Sequence, residues 1–317
     1  MHEVNSARTK FDLRRLDFAS SVPFFLIHAA AMLALFTSVS PIALAVCLVT
    51  YLVRMFGITA GFHRYFAHKS YRTGRGFQFV LAWIGGCAAQ KGVLWWAAHH
   101  RHHHAHSDTG ADVHSPVTGG FWWSHCGWFL CNEFDKTQYR LIPDLLSFPE
   151  LRFLNRWHGL PPTVMALSLY WLGAALERFA PSLHTNGAQM LIWGFFVSTV
   201  AVYHCTFSVN SLAHIFGTRR FETRDHSRNN WWLAIVTMGE GWHNNHHYSP
   251  SRERQGIMWW EVDVAHYCIC ALRRLGLVSH ILGTELPRQA LAIRQWRAVG
   301  DRLQGPTYST NRSSRDY

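Results

Sequence analysis

Gly239-Glu240-Gly241-Trp242-His243-Asn244-Asn245-His246-His247 carries three histidines at spacings i, i+3 and i+4. On a helix those offsets put three imidazoles on one face, which is half of a metal site. A second run repeats the spacing at His100, His103 and His104. His63 and His68 stand five apart, off one α-helical face and suited to the frayed end of a helix, while Asn210 and His214 lie one turn apart. If these groups build one site, the chain must deliver them all to the same side of whatever it crosses. That requirement decides the fold.

The chain does cross something. Of 317 residues, 49% are hydrophobic, with 15 Trp and 21 Phe, and the apolar residues fall in long runs. Residues 22–39 carry no formal charge and are long enough for a tilted span. Residues 41–60 form a second, with Arg54 near its end expected to snorkel to the interface. Residues 163–180 and 188–208 make a third and fourth. Residues 77–96 are also apolar, but the second histidine run follows them directly, and a full crossing would put a membrane between it and His63. They are therefore expected to be re-entrant, interfacial or buried in protein.

The expected fold is an all-α integral membrane protein with four transmembrane helices and a cytosolic helical cap carrying the histidines. A cytosolic segment (residues 1–21) precedes the membrane domain (22–304), and a polar, disordered tail (305–317) follows it. Residues 231–238 and 257–277 read as cap helices. Arg8, Lys10, Arg14 and Arg15 precede the first span and both outer loops lack Lys and Arg, so the positive-inside rule places both termini and the site in the cytoplasm, at a bacterial inner membrane or the endoplasmic reticulum. A formal charge of +11 without zinc-finger spacing or aromatic-interleaved basic repeats gives no nucleic-acid signature. Seven cysteines without a CxxC pair read as reduced thiols.

The candidate ligands are His63, His68, His100, His103, His104, His214, His243, His246 and His247. Nine imidazoles exceed the four ligands of a structural zinc site, so two metals are expected. The HExxH pattern is absent, and Glu240-Gly241-Trp242-His243 is the sole partial match to the Glu-x-x-His motifs of carboxylate-bridged bundles. Two irons, Fe2+ when reduced, are the expected cofactor. Asp108, Asp112, Asp225 and Glu240 are candidates to accept the second N–H of ligand rings. His99, His102 and His106 are expected to face solvent or give outer hydrogen bonds, and His2, His28, His125, His158, His184, His266 and His280 read as ordinary satisfied histidines.

Gly57-Ile-Thr-Ala-Gly-Phe-His-Arg-Tyr-Phe-Ala-His68, His100-Arg-His-His-His104, Asn210-Ser-Leu-Ala-His214, Ser227-Arg-Asn-Asn230 and the opening stretch lie in order along the chain, with Arg254-Gln-Gly256 before Trp259-Trp-Glu261. From about Val53 to Leu277 the sequence thereby resembles the membrane-bound fatty acyl desaturases of the stearoyl-CoA Δ9 type. The resemblance implies two irons on nine histidines, with Asn210 reaching one metal through water, and a narrow tunnel that kinks an acyl chain beside them. It implies O2-dependent insertion of a cis double bond into a saturated long-chain acyl-CoA or related acyl thioester, with membrane lipid as surroundings. Ala98-His99 stand where animal acyl-CoA members carry Arg-Asp. The His-Pro-Gly-Gly haem motif of a fused cytochrome b5 domain does not occur, so electrons are expected from a separate ferredoxin, rubredoxin or cytochrome b5 type donor with its reductase. The rival readings are a histidine-rich di-iron alkane or lipid hydroxylase and a membrane metal transporter or metal-binding protein.

Overall fold

The computed structural model describes residues 17–283; the basic N-terminal residues and the C-terminal tail discussed above lie outside them. Helix α1 (Phe18–Met32) begins where Asp17 accepts a hydrogen bond from the Ala19 amide at 3.0 Å, and a 3-10 turn carries it to Leu35. The first apolar rod is therefore 18–35 rather than 22–39. Asp17 supplies a cap upstream, and Pro41 forces extended backbone on Ser40 before the next helix. Helix α2 (Pro41–Phe56) has proline in its first turn and the Ser40 hydroxyl on the Ala43 amide at 3.1 Å.

Without a break, α2 widens into a π-helix over Gly57–Ala67. This corrects the frayed end expected at His63 and His68. The His68 amide donates to the His63 carbonyl at 3.1 Å, and such i→i+5 closure brings residues five apart onto one face. The wide turn packs against α3 (Arg75–Gly86), where a Cβ on Gly57 would sit 2.6 Å from the Gly85 nitrogen. The largest buried cluster, including Phe62, Phe66, Leu81 and Leu94, lies along this crossing.

The apolar stretch 77–96 is divided between α3 and α4 (Val93–His106). The break between them holds Ala89 and Lys91 at positive φ, so no single helix crosses there. A short helix α5 (Pro116–Gly119) and several 3-10 turns lead to α6 (Pro149–Arg156), which meets α7 (Leu160–Phe179) at 70°. Helix α8 (Gly187–Leu191), a π-turn over Ile192–Val197, α9 (Ser198–Ser211) and a 3-10 turn to His214 form one long rod. Among the described residues three rods are long and apolar enough to cross a membrane, Phe18–Leu35, Pro41–Ala67 and Gly187–His214; the bent α6–α7 pair makes a fourth if taken as one span.

The remaining helices are α10 (Trp231–Val236), α11 (His243–Tyr248) and α12 (Val264–Arg274), shorter than the expected 231–238 and 257–277. Strands β1 (Arg72–Thr73) and β2 (Val278–Ser279) pair antiparallel, tying the segment after His68 to the end of α12. Arg54 does not snorkel. It is fully buried, its guanidinium bonded to the Thr50 carbonyl and the Ser198 and Thr199 hydroxyls.

Candidate metal centre

Two groups of imidazoles form where the π-helix, α4, the end of α9 and α11 converge. His63, His68, His100, His104 and His246 make one; His103, His214, His243 and His247 make the other, the ligand nitrogens of each group lying within 4.8 Å of one another. All nine expected histidines are present. The i, i+3, i+4 faces are shared between the groups: His100 and His104 part from His103, and His246 parts from His243 and His247. Each HxxHH run is thus a wall between two sites rather than half of one.

Within the groups, Nε2 atoms face each other. His68 and His100 approach at 2.8 Å, His246 lies 3.0 Å from both His63 and His104, and His214 lies 3.0 Å from His243. Four rings have their other nitrogen committed. His63 Nδ1 donates to Glu240 at 2.5 Å, His103 to Asp112 at 3.0 Å, His214 to Asp108 at 2.8 Å and His247 to Asp225 at 2.6 Å. A neutral imidazole that donates through Nδ1 presents a lone pair at Nε2, so these rings aim lone pairs inward, at one another. His247 Nε2 is buried with no hydrogen-bond partner, as are the Nδ1 atoms of His243 and His246. Lone pairs converging in a buried space are stable around a cation, and an all-imidazole donor set suits iron, zinc, copper or nickel.

Electrostatics agree with this. Burial first, and neighbouring imidazoles second, hold His100, His104, His243 and His246 well below the ordinary imidazole value, which keeps them neutral and able to ligate. Burial pushes Asp108, Asp112 and Asp225 upward, but the histidine contacts outweigh it and hold all three below the usual carboxylate range. The four acids expected around the ligands all touch them.

Arg64 anchors the Glu240 side. Its guanidinium is buried and bonded to Glu240, Glu253 and Asp263 at 2.9–3.2 Å, and Gln255 Nε2 donates to Glu240 at 2.9 Å. On the other side, the two asparagines inside the opening stretch hold the loop that carries Asp225. Asn244 Oδ1 accepts from the Arg220 and Phe221 amides at 2.7 and 2.8 Å, and Asn245 bonds Asn229, Arg220 and Glu261.

Four histidines outside the ligand set lie on α4 or just after it. His99 does not face solvent; it is buried against Trp95, whose carbonyl its Nδ1 meets at 2.9 Å. His102 and His106 are half-buried and bonded to backbone carbonyls. His114 was missed: its ring lies 4.3 Å from that of His103 and it joins Asp112 and His103 in a third group. The signal was its place two residues after Asp112.

A cavity of about 770 Å3 opens beside the first group. His100, Trp96, His114 and Asn210 line its histidine end, and Tyr203, Phe207, Phe195, Leu191 and Tyr170 line its course along the apolar rods. Asn210 sits on that wall one turn before His214, its carbonyl accepting from Ser124 at 3.0 Å.

The comparisons with known proteins agree with this geometry. Residues 39–270 match the family model described as fatty acid desaturase. Sn-1 stearoyl-lipid 9-desaturase of Anabaena variabilis is 36% identical over 84% of this chain and 94% of its own length. Delta-9 acyl-lipid desaturase 1 of Arabidopsis thaliana is 34% identical over 88% of each chain, and acyl-CoA C20 Delta5-desaturase of Anemone leveillei is 36% identical over 78% of this chain and 77% of its own. With two imidazole groups, the first of them bordering an apolar cavity, and matches of this extent, the chain belongs to the fatty acid desaturase family.

Proposed function

We propose that the protein is an O2-dependent desaturase that places a cis double bond, at Δ9, in a saturated long-chain fatty acyl group. Its membership of the family makes it a membrane oxidoreductase acting on fatty acids. The observation that carries the finer reading is the cavity: an apolar space of about 770 Å3 reaches from His100 and Asn210 along the membrane rods. Two irons would be held by His63, His68, His100, His104 and His246 on one side and by His103, His214, His243 and His247 on the other, with Asn210 acting through water. Iron supplies the O2 and electron chemistry. The chain's own residues orient the rest. Trp96 and the cavity wall hold the methylenes against the histidine end and keep water out, and the four carboxylates fix each bonded ring with its lone pair inward.

The overall change removes two hydrogens from adjacent methylenes and reduces O2 to two waters, using two electrons from a separate donor protein and two protons. Four spans with both termini and the histidines on the cytoplasmic side best accommodate such a donor. The relatives include enzymes named for lipid-linked and for CoA-linked chains; we propose the acyl thioester as carrier, with lipid-linked chains the competing arm of the test. Purified enzyme with iron, a reductase and a donor would be given stearoyl-CoA or a stearoyl-lipid, and products weighed by mass spectrometry. Loss of two hydrogens from the CoA substrate supports the reading; gain of one oxygen identifies a hydroxylase, and conversion of the lipid alone reassigns the carrier.

A further inference from the structure

Arg54 is a guanidinium inside an apolar rod, fully buried, whose partners are a carbonyl and two hydroxyls rather than a carboxylate. Ionisable groups at such positions are costly and mark function. Its partners explain what it does. Nη1 donates to Thr199 Oγ1 at 2.5 Å and Nη2 donates to Ser198 Oγ. Both hydroxyls use their own hydrogens on the π-turn behind them, Ser198 on the Gly194 carbonyl at 2.6 Å and Thr199 on the Phe195 carbonyl at 2.5 Å. From α2, Thr50 adds a hydroxyl to the Gly194 carbonyl at 2.8 Å. The looser backbone of the π-turn is thus laced to α2 directly at Gly194 and, through Ser198 and Thr199 just after it, at Gly194 and Phe195.

That turn builds the cavity. Phe195 and Phe196 both line it, and the Arg54 guanidinium carbon lies 5.7 Å from the centre of the Phe195 ring. Arg54 precedes His63 by nine residues of continuous helix, so the clamp lies further along the rod from the first imidazole group. We propose that Arg54 is a positioning residue that holds the π-turn so that Phe195 and Phe196 keep their places in the wall of the acyl cavity away from the histidines, and that it thereby sets the chain length the enzyme accepts. This rests on the desaturase reading above. Removing the guanidinium leaves both hydroxyls still bonded to their own helix, so the local fold keeps its hydrogen bonds while the ring loses its support.

The test is a competition between acyl chains of the preferred length and two carbons longer, using membranes that contain the wild-type chain, Arg54→Met, Thr199→Val or Phe195→Ala, with enzyme level measured by immunoblot and products by gas chromatography. Arg54→Met is expected to raise the long-to-preferred product ratio on the order of tenfold, the scale at which a pocket discriminates single methylenes. Phe195→Ala removes that part of the wall directly and should do the same. Thr199→Val, which deletes one anchor at constant volume, should shift the ratio the same way by less, and it decides the matter if Arg54→Met fails to accumulate. A ratio equal to wild type in the variants that accumulate, including an even loss of product at all lengths, overturns the proposal. If the wild-type chain forms no double bond, the desaturase reading fails instead.

Discussion

Replacing Asp225 with asparagine tests whether the two imidazole groups are independent centres. Asp225 Oδ2 accepts from His247 Nδ1 at 2.6 Å, while Oδ1 accepts from the Ser227 amide at 3.0 Å and from Thr223 at 2.9 Å. Asparagine has one oxygen for these donors. If the oxygen faces His247, the amide NH2 meets the Ser227 N–H; if it faces Ser227, the NH2 meets the His247 N–H. In either orientation two donors oppose each other; with the NH2 facing His247, as holding the Ser227 and Thr223 donors on the oxygen requires, the relieving change is for His247 to switch tautomer or rotate, which removes its lone pair from the second group. Loss of such a carboxylate partner costs about 10–100-fold in metal affinity, or about 1.4–2.8 kcal/mol.

The loss should be confined to one centre. Asp225 touches none of His63, His68, His100, His104 and His246 through the hydrogen bonds found, whereas Glu240 reaches the first group through His63. Purified protein in detergent would be loaded anaerobically with ferrous iron, equilibrated against graded chelator, and its iron per chain counted. Wild type should hold two irons. Asp225→Asn should release one of them at about 10–100-fold lower chelator strength and keep the other unchanged, and Glu240→Gln should do so for the other iron. Joint release of both irons in either variant, or no shift in both, would refute two separately supported centres.

Three other outcomes are expected. Arg64→Met leaves Glu240, Glu253 and Asp263 buried without their cation, which should cost about 3–5 kcal/mol and appear as loss of monodisperse protein on size exclusion. Gly57→Ala drives a Cβ to within 2.6 Å of the Gly85 nitrogen and 2.7 Å of the Ile84 carbonyl carbon, both backbone, so unfolding in detergent should occur earlier by about 1–3 kcal/mol. His114→Phe keeps a ring against His103 and removes its nitrogens; iron should stay at two per chain, and a fall to one would make His114 a ligand.

The histidine spacings revealed which residues converge but not how they divide. An i, i+3, i+4 pattern puts His243, His246 and His247 on one face, and they do share it. Whether a face serves one centre or two depends on what packs opposite: the π-helix meets His246 and the end of α9 meets His243 and His247. Those neighbours are contributed from 183 and 29 residues away, beyond the reach of local periodicity. The five-residue gap between His63 and His68 failed for a related reason. The expectation assumes an α-helical period, and the backbone there closes i→i+5.

Arg54 shows the same limit in the membrane. Hydropathy scores a residue by its own side chain, so an arginine late in a span is assigned to the interface. Its actual fate is set by Ser198 and Thr199, which are unremarkable alone and lie 144 and 145 residues further on. Polar residues placed in two apolar rods at matching depth can satisfy each other where water is absent. The four carboxylates were legible because their logic is chemical: a ligand imidazole needs an acceptor for its second N–H, and an acid close in sequence to a ligand can be carried to one. Asp112 serves His103 nine residues away, but Asp108 and Glu240 serve His214 and His63 at separations of 106 and 177. Proximity in sequence therefore picked out the right acids while assigning none of the distant pairs. Only the convergence of the rods tells each acid which ring it holds.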